Sequence, residues 1–135
     1  MNLKQIGIAA ALTLAANGPA HATCIQANAA GTWAAYSAGT TNGDYYWFKC
    51  QFSIDTAGKI QRGACTESNG SSSAVAGNVH LIVPGGCTFT AALDFTTFKL
   101  KASIDEATLS LDKQTVLGVG TIQTQKFTFN MVKMR

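Results

Sequence analysis

Apolar and polar residues alternate with a period of two along most of this chain. Phe98, Leu100, Ala102 and Ile104 alternate with Lys99, Lys101, Ser103 and Asp105, and Phe89, Ala91, Leu93 and Phe95 with Thr88, Thr90, Ala92 and Asp94. Val75, Val79, Leu81 and Val83 share one face against Asn78 and His80. Phe48, Cys50, Phe52 and Ile54 oppose Lys49, Gln51, Ser53 and Asp55, and Phe127, Phe129 and Met131 oppose Lys126, Thr128 and Asn130. A strand with one apolar and one polar face belongs to an antiparallel sheet with one wet side. Strands are predicted near 31–39, 44–55, 59–67, 74–83, 87–95, 97–104, 107–112, 115–123 and 126–134. Turn chemistry separates them: Asn42-Gly43 tolerates positive φ, Gly58 closes Asp55–Lys59, Asn69–Ser73 is polar, and Pro84-Gly85-Gly86 breaks the pattern. Eight or nine short strands joined by hairpins form an all-β, antiparallel up-and-down meander. Closure into a barrel removes its edges and gives the repeated apolar face one interior, with an open sandwich as the alternative.

The first residues follow another rule. Lys4 precedes an apolar run from Ile6 to Ala16, and Asn17-Gly18-Pro19 breaks it before the small-x-small site Ala20-His21-Ala22. Residues 1–22 therefore read as a cleaved signal peptide, too short to span a bilayer, with 23–135 as a single domain. The residues before Cys24 do not suit a lipoprotein signal. Export, to the periplasm or outside the cell, gives the four cysteines their meaning: Cys24, Cys50, Cys65 and Cys87 should form two disulfides. Hairpin topology favours Cys50–Cys65 across Gly58, with a one-residue bulge near Gly63, and brings Cys24 to Cys87 at one barrel end. Asn69-Gly70-Ser71 is a glycosylation sequon, relevant only in a eukaryotic secretory route, and the leader looks bacterial.

Charge and chemistry narrow the function by subtraction. Without Lys4, nine basic residues face seven acidic ones, a balance that points to neither nucleic acid nor an anionic membrane. His80 is the one histidine outside the leader and points away from the apolar face, so neither a catalytic triad nor an ordinary zinc site is expected. Asp94, Asp105 and Glu106 sit at strand ends, where acidic residues usually form turns rather than a glycosidase pair. Gly118-Val119-Gly120 lacks a strand-to-helix context and marks a bulge or bend. No enzyme and no cofactor is expected.

Gly31-Thr32-Trp33 at the first strand resembles the Gly-x-Trp start of the calycins, the lipocalins and avidins, in which the Trp closes one barrel end. The resemblance covers those three residues and the general meander. It implies a ligand-holding barrel, with Trp33 in a structural role; the avidin biotin-contact pattern does not follow it.

Two function classes emerge. The first is a barrel that binds a small, mostly apolar molecule within a lining of Trp33, Tyr46, Phe52, Phe89 and Phe129. Arg62 joins that lining if strict register holds, or turns outward if the Gly63 bulge intervenes. The second is an exported protein-interaction module, an inhibitor or assembly factor, using Tyr45 and Trp47 beside the Asn42-Gly43 turn.

Overall fold

The computed structural model describes residues 23–41, 43–82 and 86–135. The leader, Asn42, Val83 and the Pro84-Gly85 part of the expected turn lie outside the described residues. A one-turn 3-10 helix, Gln26–Ala29, leads into eight strands: β1 Gly31–Thr41, β2 Asp44–Ile54, β3 Lys59–Glu67, β4 Ser72–Leu81, β5 Thr88–Phe95, β6 Leu100–Leu109, β7 Thr115–Ile122 and β8 Gln125–Lys133. Each strand pairs antiparallel with the next, and β1 pairs with β8 from Trp33↔Lys133 to Ala38↔Thr128, which closes the barrel. Closure leaves no sheet edge unpaired and collects the apolar faces inside, as the alternation predicts.

The expected strands 97–104 and 107–112 are one strand, β6. Their inward residues change parity, from Ala102 and Ile104 to Ala107 and Leu109, and that phase shift reads in sequence as a break. In the structure a bulge absorbs it: Ile104 pairs with Gly120 and Glu106 with Val119, leaving Asp105 as the extra residue. The Asp105 carboxylate accepts hydrogen bonds from Ser103 Oγ (2.7 Å), Thr121 Oγ1 (2.6 Å) and Lys126 Nζ (2.8 Å), so the outward residue of the bulge is tied to β7 and β8. Phe98 is not in a strand either; it belongs to the β5–β6 turn, where Lys99 takes φ 53°.

Both disulfides form as the topology predicts, Cys24–Cys87 and Cys50–Cys65. Cys50 and Cys65 are directly opposite across the β2–β3 hairpin. The compensating bulge lies at Gln61 rather than near Gly63, since Ser53 pairs with Arg62 and Ile54 with Ile60. Its turn is built as expected: Gly58 adopts φ 91°, where glycine carries no Cβ penalty, and Asp55 Oδ1 accepts the amides of Ala57 and Lys59, both at 2.9 Å.

Candidate functional site

Trp33 closes one end of the barrel. Its side chain is fully buried, and its indole Nε1 donates to the carbonyl of Ala29 at 2.8 Å, which fastens the 3-10 helix over the ring. Gln26 extends this plug onto the neighbouring wall: its amide donates to Val79 O (2.9 Å) and accepts from Leu81 N (2.8 Å). The Lys133 ammonium lies 4.9 Å from the Trp33 ring centroid and donates to Asn28 O at 3.2 Å. Cys24–Cys87 ties the start of the plug to the segment just before β5. None of these plug contacts was foreseen beyond Trp33 and the disulfide, because Gln26, Asn28 and Lys133 are ordinary polar residues until tertiary structure gathers them.

Aromatic rings crowd the opposite end. Phe48 stacks on Phe95 with centroids 6.2 Å apart, Phe95 on Phe98 at 6.5 Å, and Tyr46 meets Phe48 edge-on at 5.4 Å. Ser73, 2% exposed, holds the Phe98 turn in place: its Oγ donates to Ala74 O (2.9 Å) and accepts from Thr97 N (3.0 Å) and Phe98 N (3.4 Å).

Between the two ends lies a cavity of about 100 Å³. Trp33, Phe52, Phe89 and Phe129, four of the six ligand residues expected from sequence, line it. Phe48, Ile104, Phe127 and Met131 line it too, their inward parity legible but their contribution to one void not, and Leu109 joins them from beyond the β6 bulge. The surface of the lining is carbon, although Ser37 of β1 and Thr90 of β5 belong to it. Tyr46 faces the interior one step beyond this lining, packed on Phe48.

Arg62 corrects the strict-register reading. It is exposed on the outer wall, because the bulge at Gln61 shifts parity so that Ile60, Gly63 and Cys65 face inward instead. The guanidinium therefore cannot line the cavity, and a buried charge without a partner is avoided. Gly118 and Gly120, expected at a bulge or bend, lie in the β7 stretch opposite the β6 bulge at Asp105 and have a further role. Each faces inward opposite an aromatic residue, Phe129 and Phe127 respectively, and the ring lies where a Cβ would project. Gly39 does the same for Tyr46.

On the outside, Tyr45 is 89% and Trp47 49% exposed, as their parity predicts. Register extends the patch beyond them. Trp47 pairs with Ala38, Ala38 with Thr128 and Thr128 with Val119, while Tyr36 pairs with Asn130 and Asn130 with Leu117. The small residues Ala38 and Thr128 form the floor of a surface groove of about 770 Å³, walled by Trp47 and Tyr36 on one side and Leu117 and Val119 on the other. His80 is exposed on the outer face, paired with Thr90.

Asp105 is anchored in the β6 bulge, and Asp55 and Asp112 are anchored in turns. Hydrogen bonds from Lys126, Thr121 and Ser103 hold Asp105 far below the usual carboxylate range, and the Lys59 amide and Gln61 side chain lower Asp55. Asp112 is lowered by Ser110 and the Gln114 amide. Such groups stay ionised and accept hydrogen bonds, so they brace turns and bulges.

No protein-family model matches the chain, and no curated protein matches it. Two solved structures do. A de novo designed fluorescence-activating β-barrel aligns with a TM-score of 0.59 and 13% identity, over 78% of this chain and 93% of its own. A redesigned β-barrel aligns with a TM-score of 0.61 and 16% identity, over 82% and 95%. At these identities the likeness shows the fold: a small, closed, eight-stranded barrel. The calycin relation drawn from Gly31-Thr32-Trp33 is not established by it.

Proposed function

We propose that this protein is an exported barrel that holds a small, mostly apolar molecule in its interior. The observation that carries the reading is the cavity of about 100 Å³ lined by Trp33, Phe52, Phe89, Phe129 and their neighbours. Apolar cavities on the order of 150 Å³ stay dry and take up benzene, so a void of this kind suits a single ring or a short hydrocarbon chain. One neighbour of the same architecture is described as fluorescence-activating. The Gly31-Thr32-Trp33 resemblance to calycins supports the same reading. Two disulfides suit an oxidising compartment, and residues 1–22, read as a signal peptide, supply the route to the periplasm or beyond.

Native mass spectrometry of the protein purified from an oxidising compartment tests this directly. A releasable small-molecule mass, or uptake of ethylbenzene seen as shifts of the Trp33 and Phe129 resonances, is expected. A bare protein that takes up no such probe overturns the reading.

The outer groove supports a second reading, a protein-interaction module. Tyr36, Trp47, Leu117 and Val119 are each at least 45% exposed and border one groove, with Ala38, Thr128 and Asn130 between them. Contiguous exposed apolar surface of this kind marks contact sites. If the protein acts there, Trp47→Ala abolishes capture of its extracytoplasmic partner while leaving the melting curve unchanged.

A further inference from the structure

The Tyr46 hydroxyl is out of keeping with its surroundings. Its oxygen is buried and finds no hydrogen-bond partner among the described residues. Buried hydroxyls are nearly always paired, because an unmade hydrogen bond leaves the full desolvation cost standing. Its ring occupies a prepared position: Gly39, the residue paired with Tyr46, has no side chain, and an added Cβ there would lie 2.6 Å from the hydroxyl. The fold has made room for this phenol, where a phenylalanine would fill the same space without the polar atom.

The position of that hydroxyl relates it to the cavity. Tyr46 packs edge-on against Phe48, and Phe48 lines the cavity. Gly39, beneath the Tyr46 ring, is the next inward position along β1 after Ser37, which belongs to the cavity lining. Ser37 and Thr90 are the hydroxyl-bearing residues of the lining, and Tyr46, one step beyond that lining, lies on the strand next to Ser37 at the end away from Trp33. Sites for small organic molecules have this composition: an apolar body with a few placed polar groups that fix orientation.

We infer that the ligand carries one hydrogen-bond-accepting oxygen, a ketone or similar neutral group, which the Tyr46 hydroxyl engages while the apolar body fills the cavity beneath Phe48. The inference rests on the interior-binding reading and specifies its ligand class. A carboxylate is disfavoured, since no cationic side chain lines the cavity and Arg62 is on the outer wall.

The test uses a matched pair of probes, ethylbenzene and acetophenone, which share a ring and a two-carbon substituent and differ in the carbonyl. Affinities are measured by titration of the oxidised protein, for the native chain and for Tyr46→Phe and Ser37→Ala. Tyr46→Phe is expected to weaken acetophenone about five- to tenfold, the size of one neutral hydrogen bond, and to leave ethylbenzene unchanged. The same substitution raises the melting temperature of the unliganded protein, because it removes an unpaired buried hydroxyl; this confirms that the variant folds. Equal response of the two probes to Tyr46→Phe, or none, overturns the polar anchor while leaving the cavity reading intact. Failure of both probes to bind the native chain overturns the cavity reading and this inference with it. Ser37→Ala separates the two hydroxyls: a selective acetophenone loss there, with none in Tyr46→Phe, assigns the anchor to Ser37 and overturns the role of Tyr46.

Discussion

Gly118 and Gly120 show how much a single missing side chain can settle. Each lies inward and opposite an aromatic ring, so glycine in a strand, normally a weakening choice, here admits Phe129 and Phe127 into the interior. Adding a methyl at Gly118 meets the Phe129 ring and the backbone oxygen of Glu106 at 2.7 Å. Gly118→Ala should therefore destabilise the protein by about 1–3 kcal/mol, the usual cost of overpacking, seen as a lower denaturant midpoint at unchanged slope. Asp105 is the polar counterpart. Its folded pKa is depressed by Lys126, Thr121 and Ser103, so its contribution to stability is complete above the unfolded carboxylate value of about 4 and is lost as pH falls towards the folded value. Asp105→Asn should flatten the loss of stability below pH 4, measured by denaturation at a series of pH values, and have little effect on that slope at neutral pH.

Elements are held by a few cross-links whose loss has distinct consequences. Cys50–Cys65 fixes the register of one hairpin, closing 15 residues, whereas Cys24–Cys87 spans 63 and ties the 3-10 plug to the barrel. Loop-closure entropy grows slowly with length, so each bridge contributes about 3–4 kcal/mol. The consequences differ nonetheless. Replacing Cys24 and Cys87 by serine should speed hydrogen exchange in 24–30 and at Leu81, while the β2–β3 amides stay protected; uniform exchange across both regions would contradict the plug as a separate unit. Ser73 has a comparable role at the other end. Its hydroxyl serves the Ala74 carbonyl and the Thr97 and Phe98 amides, so Ser73→Ala leaves buried groups unpaired and should cost about 1–3 kcal/mol in a chemical denaturation experiment.

For the whole molecule, the question is whether the interior is a core or a container. Trp33 under the 3-10 helix covers one end and the Phe48, Phe95 and Phe98 rings crowd the other, yet a void remains between them. Filling it separates the two roles. Ala107 is buried and lines the cavity, so Ala107→Leu places carbon where the void is. Stability should hold or rise by up to about 1–2 kcal/mol, while uptake of ethylbenzene is lost, read by melting temperature and titration together. A container tolerates filling and loses its cargo; a tightly packed core would be destabilised instead.

Inward and outward residues were legible strand by strand, because period two is a local property, and from it followed the meander, closure, both disulfide pairings, the exposure of Tyr45 and Trp47, and four of the cavity residues. Bulges escaped that reading. The extra residue at Asp105 resembled a strand break, and the one at Gln61 decided that Arg62 faces water, since a single inserted residue reverses parity and leaves no mark in composition. The plug, the outer groove and the cavity belong to tertiary structure alone. Each joins residues far apart in the chain, Gln26 with Val79, Trp47 with Val119, Ser37 with Phe129, and a void is the space left when every side chain has been placed. The sequence by itself determined the kind of wall; only the closed barrel decided what the wall encloses.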